Sequence, residues 1–191
     1  LDIGAVLHEA RQRAAAARSL DELYAELEAF QHMPMRHEGG KAIVRFRGTA
    51  EPDLLVVGEA PDVDEDASGS AFAGKPGKLM DAALAAAGLH DRALMTPCVF
   101  WRPAGGRPLT AEDISLTAPF MQALIRLTAP KALLLLGAGA VSVVLNLDQN
   151  LRQLRGRVVA YSGEPAVPAI ASYPASFLLR QPQAKGLFWK D

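Results

Sequence analysis

The sequence has only one cysteine, Cys98, among its 191 residues. A single thiol excludes an internal disulfide and any zinc or iron–sulfur site of the usual multi-cysteine kind. Low cysteine usage is also typical of a reducing compartment, so we expect a cytoplasmic protein. Cys98 lies within an apolar run, which favours an inert thiol in the core.

The chain also lacks long apolar runs and a strong excess of either charge. No apolar stretch approaches the length of a membrane span, so we expect no membrane contact. Residues 3–18 are an Ala/Arg-rich pattern without the apolar core and cleavage site of a signal peptide. The formal net charge of −1 does not indicate a nucleic-acid binder, but charge segregated to one face would still allow one.

Several familiar catalytic patterns are missing. There is no P-loop, no Gly-x-Ser-x-Gly elbow and no cluster of metal-ligand residues. The four histidines, His8, His32, His37 and His90, all lie early in the chain, so they cannot form a triad on late strand ends. Residues 137–140 lack the third glycine of a dinucleotide fingerprint and are more typical of close helix–strand packing.

The strongest pattern in the chain is an aliphatic run, residues 54–57, that ends at Gly58 and is followed by a dense group of acids. Four consecutive aliphatic residues predict a strand buried on both faces, as in a parallel sheet. Pro61 forces the chain out of the sheet, and Glu59 comes directly at the strand end. Ligands of open α/β sheets bind at such carboxyl ends. We therefore predict a site here; the alternative is that residues 62–66 are only a solvated turn.

Predicted strands alternate with helices along the chain, which favours right-handed βαβ units. We therefore predict an α/β fold, a three-layer α/β/α sandwich with a central, mainly parallel four-stranded sheet. One domain would span residues 1–191, with residues 1–30 as a helical segment packed on it. The main predicted strands are residues 54–57, 93–100, 131–136 and 167–171, with 42–46 as an edge strand and 158–161 as a hairpin-like segment; the later predicted helices are 79–87, 110–127 and 137–147.

Basic residues occur on several separate loops that follow predicted strands. The predicted fold would bring these loops to one edge of the sheet. Basic side chains and glycine amides around an acidic pocket suit a phosphate backbone. The alternative for each residue is an ordinary solvated surface position. These residues are Lys75, Lys78, Arg102, Arg107 and Arg180.

The chain resembles the uracil-DNA glycosylase superfamily, because its motifs occur in the same order. It specifically resembles family 4, whose members normally carry a four-iron cluster. The resemblance runs from about Leu20 to the end of the sequence, and it implies the α/β/α fold of that superfamily. The segments that carry it are residues 58–61 with the acids after them and 72–74, Arg102-Pro103 with Arg107-Pro108, 130–137, 154–156, and Tyr173-Pro174 with 178–180.

The cluster ligands of the family are replaced in this chain. By the resemblance, the positions of the cluster cysteines correspond to Phe30, Met33, Trp101 and Thr117. None of these side chains offers a thiolate, the usual ligand of an iron–sulfur cluster. We therefore expect no iron–sulfur cluster and no other cofactor.

Groups that recognise and release uracil in the family also differ here. The family's histidine corresponds to Tyr173, its uracil-reading asparagine falls at or near Pro97, and Asp62 replaces a motif glycine. Loss of the asparagine and the histidine predicts either relaxed specificity, reaching hypoxanthine and xanthine, or weak activity. Another branch of the superfamily traps the abasic product through a histidine in an inserted loop, and this chain has neither, so we expect no covalent trapping.

The resemblance implies a monofunctional DNA glycosylase that flips a damaged nucleotide and hydrolyses the N-glycosidic bond of uracil, leaving an abasic site. Its partner would be DNA containing uracil or other deaminated bases, and we expect a monomer associated with a bacterial-type nucleoid. Two alternatives stay open. One is a non-catalytic binder of damaged or abasic DNA on the same scaffold. The other is a nucleotide or small-molecule enzyme with a flavodoxin-like sheet.

The resemblance also implies roles for individual residues. A carboxylate that orients water or stabilises the sugar cation is the minimal requirement, and Glu59 or Asp62 is expected to serve, with Glu65 as a further candidate. Ala60 occupies the position of a water-activating aspartate in other branches, so it cannot serve. The predicted base-binding residues are Gly58, Ala60, Pro61, Phe72, Cys98 and Tyr173, of which Phe72 would stack on the base. The predicted DNA-binding residues are Lys75, Lys78, Arg102, Arg107, Ser176, Phe177, Leu178 and Arg180, of which Phe177 and Leu178 would fill the vacated stack.

Overall fold

A mixed β-sheet lies at the centre of the protein. The computed structural model describes residues 2–147 and 150–191; positions 1, 148 and 149 of the predicted domain lie outside the described residues. The strands of the described part are β1 (Arg47–Gly48), β2 (Leu54–Gly58), β3 (Ala93–Pro97), β4 (Ala132–Leu136), β5 (Val158–Tyr161) and β6 (Val167–Ser172).

These strands form a six-stranded sheet, within the described residues, in the order β1-β3-β2-β4-β6-β5. The central strands β3, β2, β4 and β6 run parallel. The edge strands β1 and β5 are antiparallel to their neighbours. The predicted parallel centre is therefore present. The prediction of a four-stranded sheet is wrong, because an edge strand extends it on each side.

Two predicted strand boundaries are also wrong, for identifiable reasons. Residues 42–46 do not join the sheet, because they pair with loops instead: the N–H of Val44 donates to the carbonyl of Phe100 at 2.8 Å. The strand predicted over residues 93–100 ends at Pro97, where the backbone has no N–H to continue a ladder.

Helices cover both faces of the sheet. Leu55 and Val57 of β2 pack into one core cluster and Val56 packs into the other, as alternation along a strand requires. The three-layer α/β/α architecture is therefore confirmed. No helix in the described ranges is long and apolar enough to cross a bilayer. The helices are α1 (Ile3–Ala16), α2 (Leu20–Ala29), α3 (Val63–Ser68), α4 (Gly74–Ala86), α5 (Ala111–Thr128), α6 (Ala138–Leu145), α7 (Leu151–Leu154), α8 (Ala175–Arg180) and α9 (Lys185–Lys190).

The two core clusters assign the helices to layers. Helices α1, α2, α5 and α6 contribute to the cluster that contains Leu55. Helices α4, α8 and α9 contribute to the cluster that contains Val56. Helix α1 is held on α5 by Arg126, whose guanidinium donates to the carbonyls of Ala14 and Ala17 at 3.2 and 3.1 Å. The N-terminal helices thus pack on the layer beside α5.

The carboxyl ends of the central strands lie at one edge of the sheet, because these strands run parallel. Strands β2, β3, β4 and β6 end at Gly58, Pro97, Leu136 and Ser172. The loops that follow them therefore converge at this edge. These are the loops that carry the acidic, basic and aromatic residues singled out in the sequence.

Candidate active site

A cleft of about 890 Å³ opens at this edge of the sheet. It is lined by the loops that follow β2, β3, β4 and β6, together with the residue Phe72 and the start of α8. Most of the predicted site residues share it. The predicted residues that line the cleft are Gly58, Glu59, Ala60, Pro61, Asp62, Glu65, Phe72, Arg102, Arg107, Tyr173, Ser176, Phe177 and Arg180.

Glu59 follows β2 directly and lies exposed in the cleft. The hydroxyl of Ser176, in the first turn of α8, donates to Glu59 Oε2 at 2.6 Å. Within the described residues the other carboxylate oxygen accepts no hydrogen bond from the protein. Glu59 is thus an oriented carboxylate with one oxygen available to water or substrate.

Asp62 and Glu65 belong to the start of helix α3. The N–H of Glu65 donates to Asp62 Oδ1 at 2.9 Å, and the N–H of Asp62 donates to Glu65 Oε1 at 3.3 Å, which is a capping box. Residues 62–66 are therefore a helix start with a structural role, not the solvated turn of the alternative interpretation. Asp66, also buried, accepts the N–H of Lys41 at 2.8 Å.

Glu65 is a buried carboxyl group behind the cleft surface. Its Oε2 accepts the N–H of Phe72 at 2.9 Å. Burial raises the pKa of Glu65 to about 7, and the nearby charges of Asp62 and Glu59 add to this effect, whereas the two backbone N–H donors lower the pKa. Glu65 is therefore held by the backbone on both oxygens, unlike Glu59.

The ring of Phe72 lies against the end of strand β2. A Cβ atom placed on Gly58 would lie 2.6 Å from Phe72 Cζ, so this close packing requires glycine at position 58. Phe72 is half-buried and lines the cleft. It thus offers a flat apolar surface beside Glu59, as expected for a residue that stacks on a base.

Tyr173 stacks on Phe177, with ring centroids 4.8 Å apart. The guanidinium of Arg155 lies 5.2 Å from the centroid of the Tyr173 ring and pairs with Asp191 at 2.7 Å. Asp191 in turn accepts the hydroxyl of Ser172 at 2.6 Å. In the sequence, Arg155 was noted only as part of the motif at residues 154–156. Its pairing with Asp191 could not be predicted, because the two residues are far apart in the chain.

The basic residues of the cleft form its rim. Arg102 and Arg180 line the cleft, whereas Lys75 and Lys78 are exposed in the first turns of α4 and do not line it. Sequence reasoning missed Arg152, which is exposed on α7 and lines the cleft. The helix that carries Arg152 was not predicted, so nothing in the sequence placed this residue at the edge.

Arg107 is committed to two carboxylates. Its guanidinium pairs with Glu38 and with the fully buried Asp113, each at 2.6 Å. Burial alone would raise the pKa of Asp113, but hydrogen bonds from Arg107 and Thr110 hold it below its usual value. This ion-pair network links the loop after β3 to α5, and it occupies the guanidinium that was expected to bind phosphate.

Cys98 and Leu178 are buried and do not line the cleft, so their predicted site roles are wrong. Leu178 is 1% exposed and packs in the core, whereas its neighbour Leu179 is 40% exposed. Cys98 lies beneath Gly139, where a Cβ atom would come within 3.2 Å of its Sγ. Burial raises the pKa of the Cys98 thiol to about 12, so it stays neutral. Both residues serve the core.

The four positions that correspond to cluster cysteines lie in one buried cluster. Phe30, Met33, Trp101 and Thr117 all belong to the core beside the sheet, and the hydroxyl of Thr117 donates to Met33 Sδ at 3.8 Å. Over residues 2–147 and 150–191, no group of three or more His, Cys, Asp or Glu side chains could hold a metal ion. None of these four side chains offers a thiolate, so they do not fit an iron–sulfur cluster.

Comparison with known proteins points to one family. Residues 46–191 match the family profile described as Uracil DNA glycosylase superfamily. The chain is 28% identical to the type-4 uracil-DNA glycosylase of Pyrobaculum aerophilum, with 81% of this chain and 82% of that protein covered. It is 27% identical to the type-4 uracil-DNA glycosylase of Archaeoglobus fulgidus, with 91% and 89% covered. The corresponding enzyme of Thermotoga maritima is 28% identical, with 72% of each chain covered.

Proposed function

Because the chain belongs to the uracil DNA glycosylase superfamily, we propose that it removes uracil from DNA by hydrolysing the N-glycosidic bond. The observation that carries this proposal is the pairing of an oriented carboxylate, Glu59, with a half-buried ring, Phe72, in one cleft. The similarity to type-4 uracil-DNA glycosylases over most of the chain supports the same activity. The products are free uracil and an abasic site.

The target base would enter the cleft after the nucleotide is flipped out of the stack, since the bond to be cleaved is inaccessible inside a duplex. The base would stack on Phe72, and the backbone around Gly58 and Ala60, which lines the cleft, would face its polar edge. The cleft, at about 890 Å³, is large enough for a nucleotide-sized ligand.

In the proposed reaction, a water oxygen adds to C1′ of the deoxyribose as the bond from C1′ to N1 of uracil breaks. The electron pair of that bond leaves with uracil as an anion, which takes up a proton from solvent, and the proton lost by water passes to solvent. The transition state carries positive charge on the sugar, so an adjacent carboxylate stabilises it and can orient the water.

We assign this carboxylate role to Glu59 rather than to Asp62 or Glu65. Glu59 is exposed in the cleft and is oriented by Ser176, with one oxygen available. Asp62 uses its carboxylate to cap α3. Glu65 is buried and accepts backbone N–H groups on both oxygens. Of the three predicted acids, Glu59 is the one whose geometry supports contact with water at the sugar.

Base discrimination would be relaxed, because two polar recognition groups are absent. Pro97 stands at or near the asparagine position and Tyr173 stands at the histidine position. A pocket without specific hydrogen-bond partners discriminates weakly between bases of similar shape. We therefore propose that deaminated purines, hypoxanthine and xanthine, are also accepted.

DNA would be held along the rim of the cleft. Arg102, Arg152 and Arg180 line the cleft and would neutralise phosphates, and Lys75 and Lys78 would extend this contact beyond the cleft. Phe177 is half-buried at the rim. Leu179, which is exposed one turn of α8 away from Ser176, replaces Leu178 as the apolar residue that could fill the vacated stack. DNA affinity would then fall steeply with salt.

The enzyme would work without an iron–sulfur cluster and as a single chain. Phe30, Met33 and Trp101 fill the corresponding region with apolar side chains. Metal analysis of the purified protein by mass spectrometry would test the absence of the cluster, and its mass in solution would test the single-chain state. Stoichiometric iron would contradict it.

The test of the proposed function is a set of glycosylase assays on single-stranded and duplex oligonucleotides that contain uracil, hypoxanthine or xanthine. Alkali-labile cleavage at uracil supports the function, and cleavage at the purine lesions supports the relaxed pocket. Retained DNA binding without release of any base would contradict the enzyme and leave the alternative, a non-catalytic binder of damaged DNA. Activity or DNA binding that does not change with salt concentration would contradict both the enzyme and the non-catalytic binder.

A further inference from the structure

Phe72 has a left-handed backbone conformation, with a φ of 55°. A bulky non-glycine residue rarely adopts this conformation, because its Cβ atom crowds the backbone. In the described part of the chain, the other non-glycine residues with positive φ are Ala129 and Asn146, and both end helices. Phe72 ends no helix, so its conformation must be imposed by the groups around it.

The N–H of Phe72 is held by Glu65. Glu65 Oε2 accepts this N–H at 2.9 Å from a buried position. The same carboxyl group is fixed at its other oxygen by the N–H of Asp62. Glu65 thus links the start of α3 to the backbone of Phe72.

The carbonyl side of Phe72 is held by Arg47, from the edge strand β1. The guanidinium donates to the carbonyl of Phe72 at 3.1 Å and to the carbonyl of Ala71 at 3.0 Å. Asp81 of α4 orients it through an ion pair of 2.9 Å. Gly77 completes this side, because a Cβ atom there would overlap the carbonyl oxygen of Phe72.

The ring of Phe72 is fixed by close packing on Gly58, at the end of β2. The N–H, the carbonyl and the ring are therefore each set by a different element of the fold. The Cζ and Cε atoms of the ring lie against Gly58, and the half-buried side chain lines the cleft.

We propose that Glu65 and Arg47 are positioning residues that hold Phe72 in this conformation, so that its ring is ready to stack on the flipped base. This inference rests on the proposed function for the role of the ring. Glu65 then acts through Phe72 and does not touch the reacting atoms. Arg47, which no sequence motif singled out, acts through the same residue.

The first test is a double-mutant cycle with Arg47→Gln and Phe72→Ala, because Arg47 is partly exposed at an edge and its loss should be tolerated. We expect Arg47→Gln to lower kcat/KM about tenfold in the native background, and less than about twofold when Phe72 is already alanine. The matched control is Arg45→Gln, which removes an arginine that stacks on Tyr24 instead, and it should leave kcat/KM unchanged. An equal loss in both backgrounds would overturn the proposal.

The second test compares Glu65→Gln with Glu65→Ala. Glutamine keeps an oxygen that can accept the N–H of Phe72, whereas alanine keeps none. If Glu65 is a positioning residue, Glu65→Gln retains most of kcat/KM and Glu65→Ala does not. If both variants are equally inactive while amide exchange at Phe72 in Glu65→Gln stays at the wild-type rate, the charge of Glu65 takes part in the chemistry and the positioning role is wrong.

A third measurement separates this proposal from the proposed function. Amide hydrogen exchange at Phe72, read by NMR in the full chain, reports how firmly Glu65 holds the N–H of Phe72, without reference to activity. We expect exchange at Phe72 to be at least about tenfold faster in Glu65→Ala, with the amide of Val57 in the sheet unchanged. Unchanged exchange at Phe72 would overturn the positioning role of Glu65. If wild type releases no base, but exchange at Phe72 is faster in Glu65→Ala as expected, only the proposed function is overturned.

Discussion

Ser176 Oγ and Glu59 Oε2 lie 2.6 Å apart, in a hydrogen bond between the first turn of α8 and the end of β2. The two residues are 117 positions apart in sequence. The bond fixes the carboxylate of Glu59 relative to the loop that carries Tyr173. Ser176 was predicted to hold a DNA phosphate. In the structure its hydroxyl instead donates a hydrogen bond to the proposed catalytic carboxylate.

Replacement of Ser176 by alanine should therefore impair the chemical step more than DNA binding. We expect kcat to fall about tenfold, because Glu59 loses its orienting donor, while KM stays within about twofold. Single-turnover excision of uracil and DNA affinity would be measured side by side. Ser115→Ala, an exposed serine on α5, is the control. A loss of affinity without a loss of kcat would restore the phosphate-binding role.

Glu65 should make stability depend on pH near neutrality. Burial raises its pKa in the folded protein to about 7 from an ordinary value of 4.5. Between these two pKa values the folded state holds a proton that the unfolded state releases. The stabilisation that comes from this proton is therefore full below pH 4.5 and is lost as the pH rises through 7. Between pH 5.5 and 8, wild type should lose about 2 kcal/mol of unfolding free energy relative to Glu65→Gln. Urea denaturation of both proteins checks this, and parallel pH profiles would contradict it.

Loss of Arg107 should destabilise the fold rather than weaken DNA binding directly. Arg107→Met leaves the buried carboxylate of Asp113 without its partner, which should cost about 3 kcal/mol. Arg92→Met, which breaks an exposed pair with Asp53, should cost less than about 1 kcal/mol. Chemical denaturation measures both. A stable Arg107→Met protein with weakened DNA affinity would return Arg107 to the phosphate-binding set.

Leu178 and Leu179 should separate stability from DNA binding. Leu178→Ala should cost about 3 kcal/mol of stability, because the side chain is buried. Leu179→Ala should cost less than about 1 kcal/mol, because the side chain is 40% exposed, and should instead reduce uracil excision from duplex DNA. Excision from single-stranded DNA, which needs no wedge, is the internal control. Equal effects of Leu179→Ala on both substrates would contradict the wedge.

The layered fold could be predicted because its signals are local. Each strand or helix is indicated by a few neighbouring residues, such as the aliphatic run of β2 or the cap at Thr110. The alternation of strands and helices follows from these local signals. The predicted resemblance to the superfamily is confirmed by the match over residues 46–191. The number of strands could not be predicted, since β1 has only two residues and depends on pairing with β3.

The site was predicted at the level of its loops but not of its side-chain partners. The carboxyl ends of β2 and β6 place Glu59 and Tyr173 at one edge of the sheet whatever their neighbours are. Phe72 lies between α3 and α4, and its contacts with Glu65 and Arg47 could not be predicted from strand ends. The partners of Arg107 and Arg47 come from distant elements, and no period in the sequence reports them. Burial of Leu178 rather than Leu179 depends on how α8 rests on the sheet, which a single short helix does not reveal.

The proposed role of Glu59 is tested most directly by single-turnover release of uracil from a duplex oligonucleotide by wild type and Glu59→Gln. Glu51→Gln, at an exposed position before β2, is the control. We expect uracil release by wild type and the control, and a loss of about 100-fold or more in the rate with Glu59→Gln at unchanged DNA affinity. A Glu59→Gln protein that releases uracil at the wild-type rate would contradict the role of this carboxylate.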